Sequence, residues 1–372
     1  MLSRIMSSYY GFVSRLPRIE SRALKYGYSN ARVKAMKGMI LRSNALEEMI
    51  KVGSIEAMVE LLQRTNYKND LAAASVNYSG SLLIENAASR GFARLVRKLI
   101  KIAPKSDKKA LKVLLARWDL MNIKTLINAR RLGMDYDQTR PLLFDIGGLS
   151  EDDFKEILKT DNLLKELGKT ELGSRFISFS RQDKSGKARG IRAGTQDDKS
   201  LLTKIEGEMD SYIYLFMDNV LSEVGGKDFL RIREIIRKEI DAKNVMIIER
   251  LKAYGAPREK IIKSLIRGGT LNKLFLDKII ECKDLAHVMT IISSRFYNIK
   301  EKEGSLYELE IALEKSIAAQ KVLAFRSAML SAGVIIGFLL LKEEEINNLR
   351  KIAKGKEFGL SESEVRSMLV VA

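Results

Sequence analysis

The chain is poor in the residues that build reactive or cross-linked centres, with one histidine and one cysteine among 372 residues. A zinc site made from the usual cysteine and histidine sets is thereby excluded, and a histidine-based triad would have only His287 to use. That residue lies in Leu285-Ala-His-Val-Met-Thr-Ile-Ile292, where a structural packing role is expected. Cys282 has no partner for an internal disulfide. In Phe275-Leu-Asp-Lys-Ile-Ile-Glu-Cys282 it reads as a small buried hydrophobe in a reducing, cytoplasmic setting. Only four prolines, Pro17, Pro104, Pro141 and Pro257, interrupt a composition rich in good helix formers, so a mostly helical protein is expected. The longest apolar run, Leu330 to Leu341, has twelve residues. A bilayer-spanning helix needs about 20, so the run reads as a buried core helix. The start, Met1 to Tyr10, lacks the apolar region of a secretory signal, and a protein soluble as synthesised is expected.

No Gly-x-x-x-x-Gly-Lys-Ser/Thr run occurs, and the Gly-Gly pairs at 147–148, 225–226 and 268–269 do not sit between a β-rich run and a helix, so phosphate cradles are not expected. The carboxylates are scattered over amphipathic patterns, as on solvated helix faces. No catalytic residue, cofactor, metal or small-molecule substrate is expected. The length of 372 residues allows two or three domains, and an apolar content of 46% supports true cores. The net charge of +18 favours an anionic partner, whether nucleic acid, lipid surface or acidic protein.

Self-similarity organises the chain. The triplets Asp119-Leu-Met-Asn122, Asp241-Ala-Lys-Asn244 and Glu345-Ile-Asn-Asn348 each set an acid three residues before an asparagine, and Gly133, Gly255 and Gly359 stand eleven residues further on. Those glycines suit the left-handed conformation that ends a helix. Glu85, Glu206 and Glu310 precede the asparagines by 37, 38 and 38 residues, room for one long helical hairpin each. Gly147 to Leu158 parallels Gly268 to Ile280, and Gly53 to Leu62 reads as a third copy. The acid of each triplet is expected to cap a helix start and the asparagine to pin nearby backbone. The chain then divides into an N-terminal half unit (1–80), two whole units (81–200 and 201–304) and a C-terminal half unit (305–372). The expected fold is all-α, with three pseudo-three-fold-related helical units closing into a funnel-shaped body. The polar segment Ser180 to Ser200, whose basic half runs from Arg181 to Arg192, is expected to be a mobile, solvated insertion near 180–200 within the first whole unit.

Tyr28-Ser-Asn-Ala-Arg-Val-Lys-Ala-Met36, Trp118-Asp-Leu-Met-Asn-Ile-Lys124, Glu239-Ile-Asp-Ala-Lys-Asn244 and Lys342-Glu-Glu-Glu-Ile-Asn-Asn-Leu-Arg350 resemble the C/d-type adaptor family of archaeal-type and vacuolar-type (A-type and V-type) ATPases, with the archaeal branch nearer. The resemblance covers nearly the whole chain. It implies a non-catalytic rotor adaptor of a proton- or sodium-translocating ATPase or ATP synthase, cytoplasmic and peripheral on the inner face of the membrane. Its implied partners are central-stalk subunits in a socket, rotor-ring subunits beneath the base, and the membrane surface. The Ser180 to Ser200 segment departs from the family pattern. The alternative reading is a basic helical-repeat protein that binds nucleic acid through Arg94-Leu-Val-Arg-Lys98 and Arg231-Ile-Arg-Glu-Ile-Ile-Arg-Lys238; steep salt dependence would mark it.

Overall fold

The computed structural model describes residues 18–160, 163–170, 172–174, 176, 198–296, 299 and 305–370. Positions 180–197 of the polar segment, and the side chain of Glu206, lie outside the described residues. All regular elements among the described residues are helical. The short helices α1 to α4 (Arg18–Lys37, Ser43–Lys51, Ile55–Gln63 and Lys68–Ala74) lead into a long pair, α5 (Gly80–Ile102) and α6 (Lys108–Arg131). After α7 (Glu151–Lys159) comes a second long pair, α8 (Asp198–Val224) and α9 (Lys227–Ala253). Next come α10 (Arg258–Ser264), α11 (Lys273–Glu281) and α12 (Leu285–Ser293). A third long pair, α13 (Leu306–Phe325) and α14 (Ala332–Glu357), precedes α15 (Glu362–Met368). Pro104, Pro141 and Pro257 all fall between long helices, where a missing backbone N–H interrupts nothing.

The second helix of each long pair packs on the first helix of the next pair: α6 on α8, α9 on α13, and α14 back on α5. Helix α14 contains most of the twelve-residue apolar run and buries Ile335, Ile336, Phe338, Leu339 and Leu340. Further along it buries Ile346, Leu349 and Ile352. With apolar residues around much of its circumference it needs neighbours on several sides, and α1, α2, α3, α5 and α13 supply them. No helix among the described residues is long and apolar enough to cross a membrane.

The long helices end where glycine permits. Gly133, Gly255 and Gly359 have φ of 67°, 65° and 67°. Each lets its own N–H and the next one turn back on the last turn: Gly133 N to Arg130 O and Met134 N to Ala129 O, with the same pattern at Gly255 and Gly359. This double bond set satisfies carbonyls that would otherwise have no partner.

Two sequence expectations are corrected here. His287 is exposed, its side chain retaining 76% of its accessible surface. Asp284 is the N-cap of α12 and accepts from both the backbone N and, at 2.6 Å, the ring Nδ1 of His287. Cap geometry thus turns the ring outward. Cys282 is only half-buried; it stands at the C-cap of α11, where its thiol reaches the Asp284 carbonyl at 3.4 Å.

Candidate functional site

The acid of each triplet lies well inside a long helix, not at its start. Asp119 accepts from Gly148 N at 2.8 Å and Leu149 N at 3.0 Å, and so caps the chain entering α7, thirty residues on. Asp241 does the same for Thr270 N at 2.9 Å and Leu271 N at 3.1 Å, before α11. A Cβ on Gly147 would lie 1.8 Å from Asp119 Oδ1, and one on Gly269 2.1 Å from Asp241 Oδ1, so only glycine lets backbone and carboxylate approach this closely. Burial pushes Asp119 up to about 6 against the lowering effect of its backbone donors, and raises Asp241 likewise.

Among the described residues Glu345 caps no downstream loop. It accepts instead from Leu41 N at 2.9 Å and from the Tyr67 hydroxyl at 2.7 Å. The counterpart of the loops before α7 and α11 is therefore the stretch leading to Leu41 and α2, and the alignment of Gly53 to Leu62 with those loops is corrected. Helices α2, α7 and α11 are each nine residues long.

The asparagines pin backbone at a fixed reach of 22 residues. Asn122 donates to Phe144 O and accepts from Phe144 N, both at 2.8 Å. Asn244 holds Ile266 in the same way at 2.9 and 2.8 Å, and Asn348 holds Val370 at 2.7 and 3.0 Å.

Five residues before each asparagine stand Arg117, Glu239 and Glu343, which the sequence pattern alone does not single out. They meet. Arg117 Nη2 lies 2.6 Å from Glu343 Oε2, and Nη1 lies 3.8 Å from Glu239 Oε1. Lys321 of α13 adds contacts of 2.9 Å to Glu239 and 3.4 Å to Glu344. Burial opposes ionisation of Glu239, but Lys321 and Arg117 more than offset it and hold that carboxyl below its usual range. Burial, with Glu344 and Glu239 near, pushes Glu343 up. The shared offset of five from the asparagine is the signal that could have found them.

Toward the C-terminal ends of α9 and α14 from this cluster lies a cavity of about 780 Å³ with Lys124, Tyr214, Lys243, Arg250 and Arg350 in its wall. Its charges are largely paired: Lys124 to Asp210 at 2.5 Å, Arg250 to Glu310 at 2.7 Å and Lys351 to Glu314 at 2.7 Å. Glu85 faces Lys354 at 3.3 Å. Arg350 stacks over Phe144 and Trp118, 4.4 and 5.5 Å from the ring centroids, and donates to Ser89 Oγ. At the helix ends beyond the cavity, Leu132, Tyr254 and Phe358, each one residue before a terminating glycine, are 75%, 87% and 72% exposed. Among the described residues no group of three or more histidine, cysteine, aspartate or glutamate side chains is placed to hold a metal.

The two basic clusters differ. Arg233 is held by Asp218 at 2.7 and 2.9 Å, and Arg237 donates to Gly268 O, so much of the Arg231–Lys238 cluster serves internal bonds. In the other, Arg94 is tied to Asp70 at 2.7 Å, whereas Arg97 and Lys98 are exposed.

Residues 29–368 match the family model described as ATP synthase (C/AC39) subunit. The chain belongs to this family. Among its curated relatives, it is 27% identical over 355 residues to the C subunit of the A-type ATP synthase of Methanocaldococcus jannaschii, covering 93% of this chain and 86% of that protein. It is 26% identical to the same component from Thermococcus onnurineus, covering 95% of this chain and 92% of that one, and 25% identical to that of Methanosarcina mazei, covering 93% of each. As a member of the ATP synthase (C/AC39) subunit family, the chain is a component of a multi-subunit ATP synthase.

Proposed function

We propose that this protein is the non-catalytic adaptor that joins the central stalk of an A-type ATP synthase to its membrane rotor ring and carries torque between them. The observation that carries the reading is the meeting of Arg117, Glu239 and Glu343, at one shared offset from the three asparagines. It supports three related helical units set around a common axis: residues 81–200 and 201–304, and a third assembled from 1–80 and 305–372. The pairing of α14 with α5 supports closure of the third unit on the first. Each unit then holds itself with one Asn clamp and one buried acid, and the bodies meet through the ion cluster.

In this arrangement the cavity is the socket of a funnel, and Leu132, Tyr254 and Phe358 stand around its mouth to receive the apolar tip of the stalk. The turns between paired helices form the base, over the ring and on the inner face of the membrane. Close-packed helices resist deformation, which torque transfer requires. The names of the relatives, each the C subunit of an A-type ATP synthase, support the assignment to that complex.

The test is capture of stalk and ring subunits from native membranes on the tagged full chain. Leu132→Asp, Tyr254→Asp and Phe358→Asp should each keep the fold yet reduce capture of the stalk and spare the ring. A folded chain that brings down neither set overturns the proposal.

A further inference from the structure

We infer that the turn end of the protein, together with the outer stripe of α5, is a docking face for an anionic lipid surface. The inference deepens the adaptor reading and rests on it for the orientation of the base. Between Asn86 and Ser106 the sequence holds six cations, Arg90, Arg94, Arg97, Lys98, Lys101 and Lys105, and no acid. Arg90, Arg94, Arg97, Lys98 and Lys101 lie on α5, where their spacing confines them to an arc of about 100° along about 16 Å; Lys105 follows three residues past the helix end, and all six are exposed. Arg94 is occupied by Asp70, and the field of Arg90 also falls on that carboxylate. Arg97, Lys98, Lys101 and Lys105 form no ion pair with another described residue, so their charge is directed outward.

The stripe runs into the end where the paired helices turn. One cavity there is lined by Arg22, Ser106, Lys227, Arg231 and Met329, which places the three turns and α1 side by side. Arg22, Lys227, Arg231 and Arg326 are exposed at this end. Of the acids in that cavity wall, Asp107 is 2% exposed and accepts from Lys25, and Asp228 accepts from Gly333 N. Beside it Glu223 is exposed but paired with Lys109 at 2.8 Å, and Glu234 stands exposed near Arg231, so cations outnumber free acids at this end. Apolar side chains stand out between the cations, with Met329 68%, Leu323 57% and Leu230 45% exposed. Cations for phosphate groups beside apolar side chains that enter the headgroup layer make an interfacial surface. A single-stranded nucleic acid would call instead for exposed rings on which bases stack. The rings beside the stripe, Phe92 and Trp118, are buried, and at the turn end Tyr26 is half-buried with the Lys25 ammonium over its ring.

The test uses the full chain and vesicles of mixed phosphatidylglycerol and phosphatidylcholine, with pure phosphatidylcholine vesicles for comparison, in co-sedimentation. Binding should require phosphatidylglycerol and weaken as salt rises. Each cation near such a surface strengthens binding roughly fivefold, so the triple variant Arg97→Gln, Lys98→Gln, Lys101→Gln should bind about a hundredfold more weakly. Lys260→Gln, Lys263→Gln, Lys273→Gln removes the same charge from other exposed positions and should bind within about twofold of the parent. Thermal unfolding should be unchanged in both, since none of these six side chains forms an ion pair with another described residue. Equal binding to both vesicle types, or equal losses in both variants, overturns the inference. So does a first variant that keeps vesicle binding but loses binding to duplex or single-stranded nucleic acid. Capture of stalk subunits by the first variant should persist, which separates failure of this face from failure of the adaptor reading.

Discussion

Replacing Asn244 with alanine should remove a large share of the stability of the fold. Asn244 is 2% exposed and holds both backbone groups of Ile266 in buried bonds. Truncation leaves an N–H and a carbonyl without partners and without water, at about 1–3 kcal/mol each. The void adds to this, for a loss of about 3–5 kcal/mol against a typical total of about 5–15 kcal/mol. Urea unfolding followed by circular dichroism reads the loss as a lower midpoint at unchanged slope. Asn244→Asp tests the geometry further. Its carboxylate still accepts from Ile266 N but faces the Ile266 carbonyl, so it should fall in the same range and not rescue the fold. The exposed Asn128, bonded only locally to Arg131, is the control, and its alanine variant should stay within about 0.5 kcal/mol of the parent. A loss below about 1 kcal/mol for Asn244→Ala would refute the clamp as a structural determinant.

Gly269→Ala should destabilise by at least about 2 kcal/mol because the new methyl meets Asp241, and adding Asp241→Ala should recover part of that loss, as coupled neighbours do. Arg117→Leu strands Glu343, while Lys321 still holds Glu239, and should cost about 3–5 kcal/mol, while Arg117→Leu with Glu343→Leu should cost less; equal losses in unfolding titrations would argue against the ion cluster. Asp119, at about 6 in the folded chain against a reference of 3.8, binds its proton more tightly when folded. Its contribution is therefore full below about pH 4 and lost as pH rises through about 6, worth about 3 kcal/mol. Asp119→Asn should flatten this fall when urea midpoints are compared at the two ends of that window, and an unchanged slope would count against it.

Helix content is legible in the sequence because its signals are local: few prolines, helix-forming residues, and glycines eleven residues past each asparagine. The partners of Asp119, Asp241 and Glu345 are not, because each acid acts on backbone far away in the chain. A carboxylate inside a helix carries no mark of the loop it will meet. His287 misleads for a related reason, since apolar neighbours suggest a core position while Asp284 three residues earlier sets the cap that turns the ring outward. The ion cluster is hidden by chemistry, as an arginine at 117 occupies the offset that glutamates fill at 239 and 343.

The bonds from Glu345 to Leu41 and from Asn30 to Ser331 join residues 304 and 301 positions apart. During synthesis the first helices leave the ribosome long before their partner α14 exists, with Leu46, Met49 and Ile50 still in search of cover. Such distant contacts make the final closure slow, and the waiting apolar faces invite association with other chains. A stop codon that removed only α14 and α15 would thus harm both ends of the polypeptide.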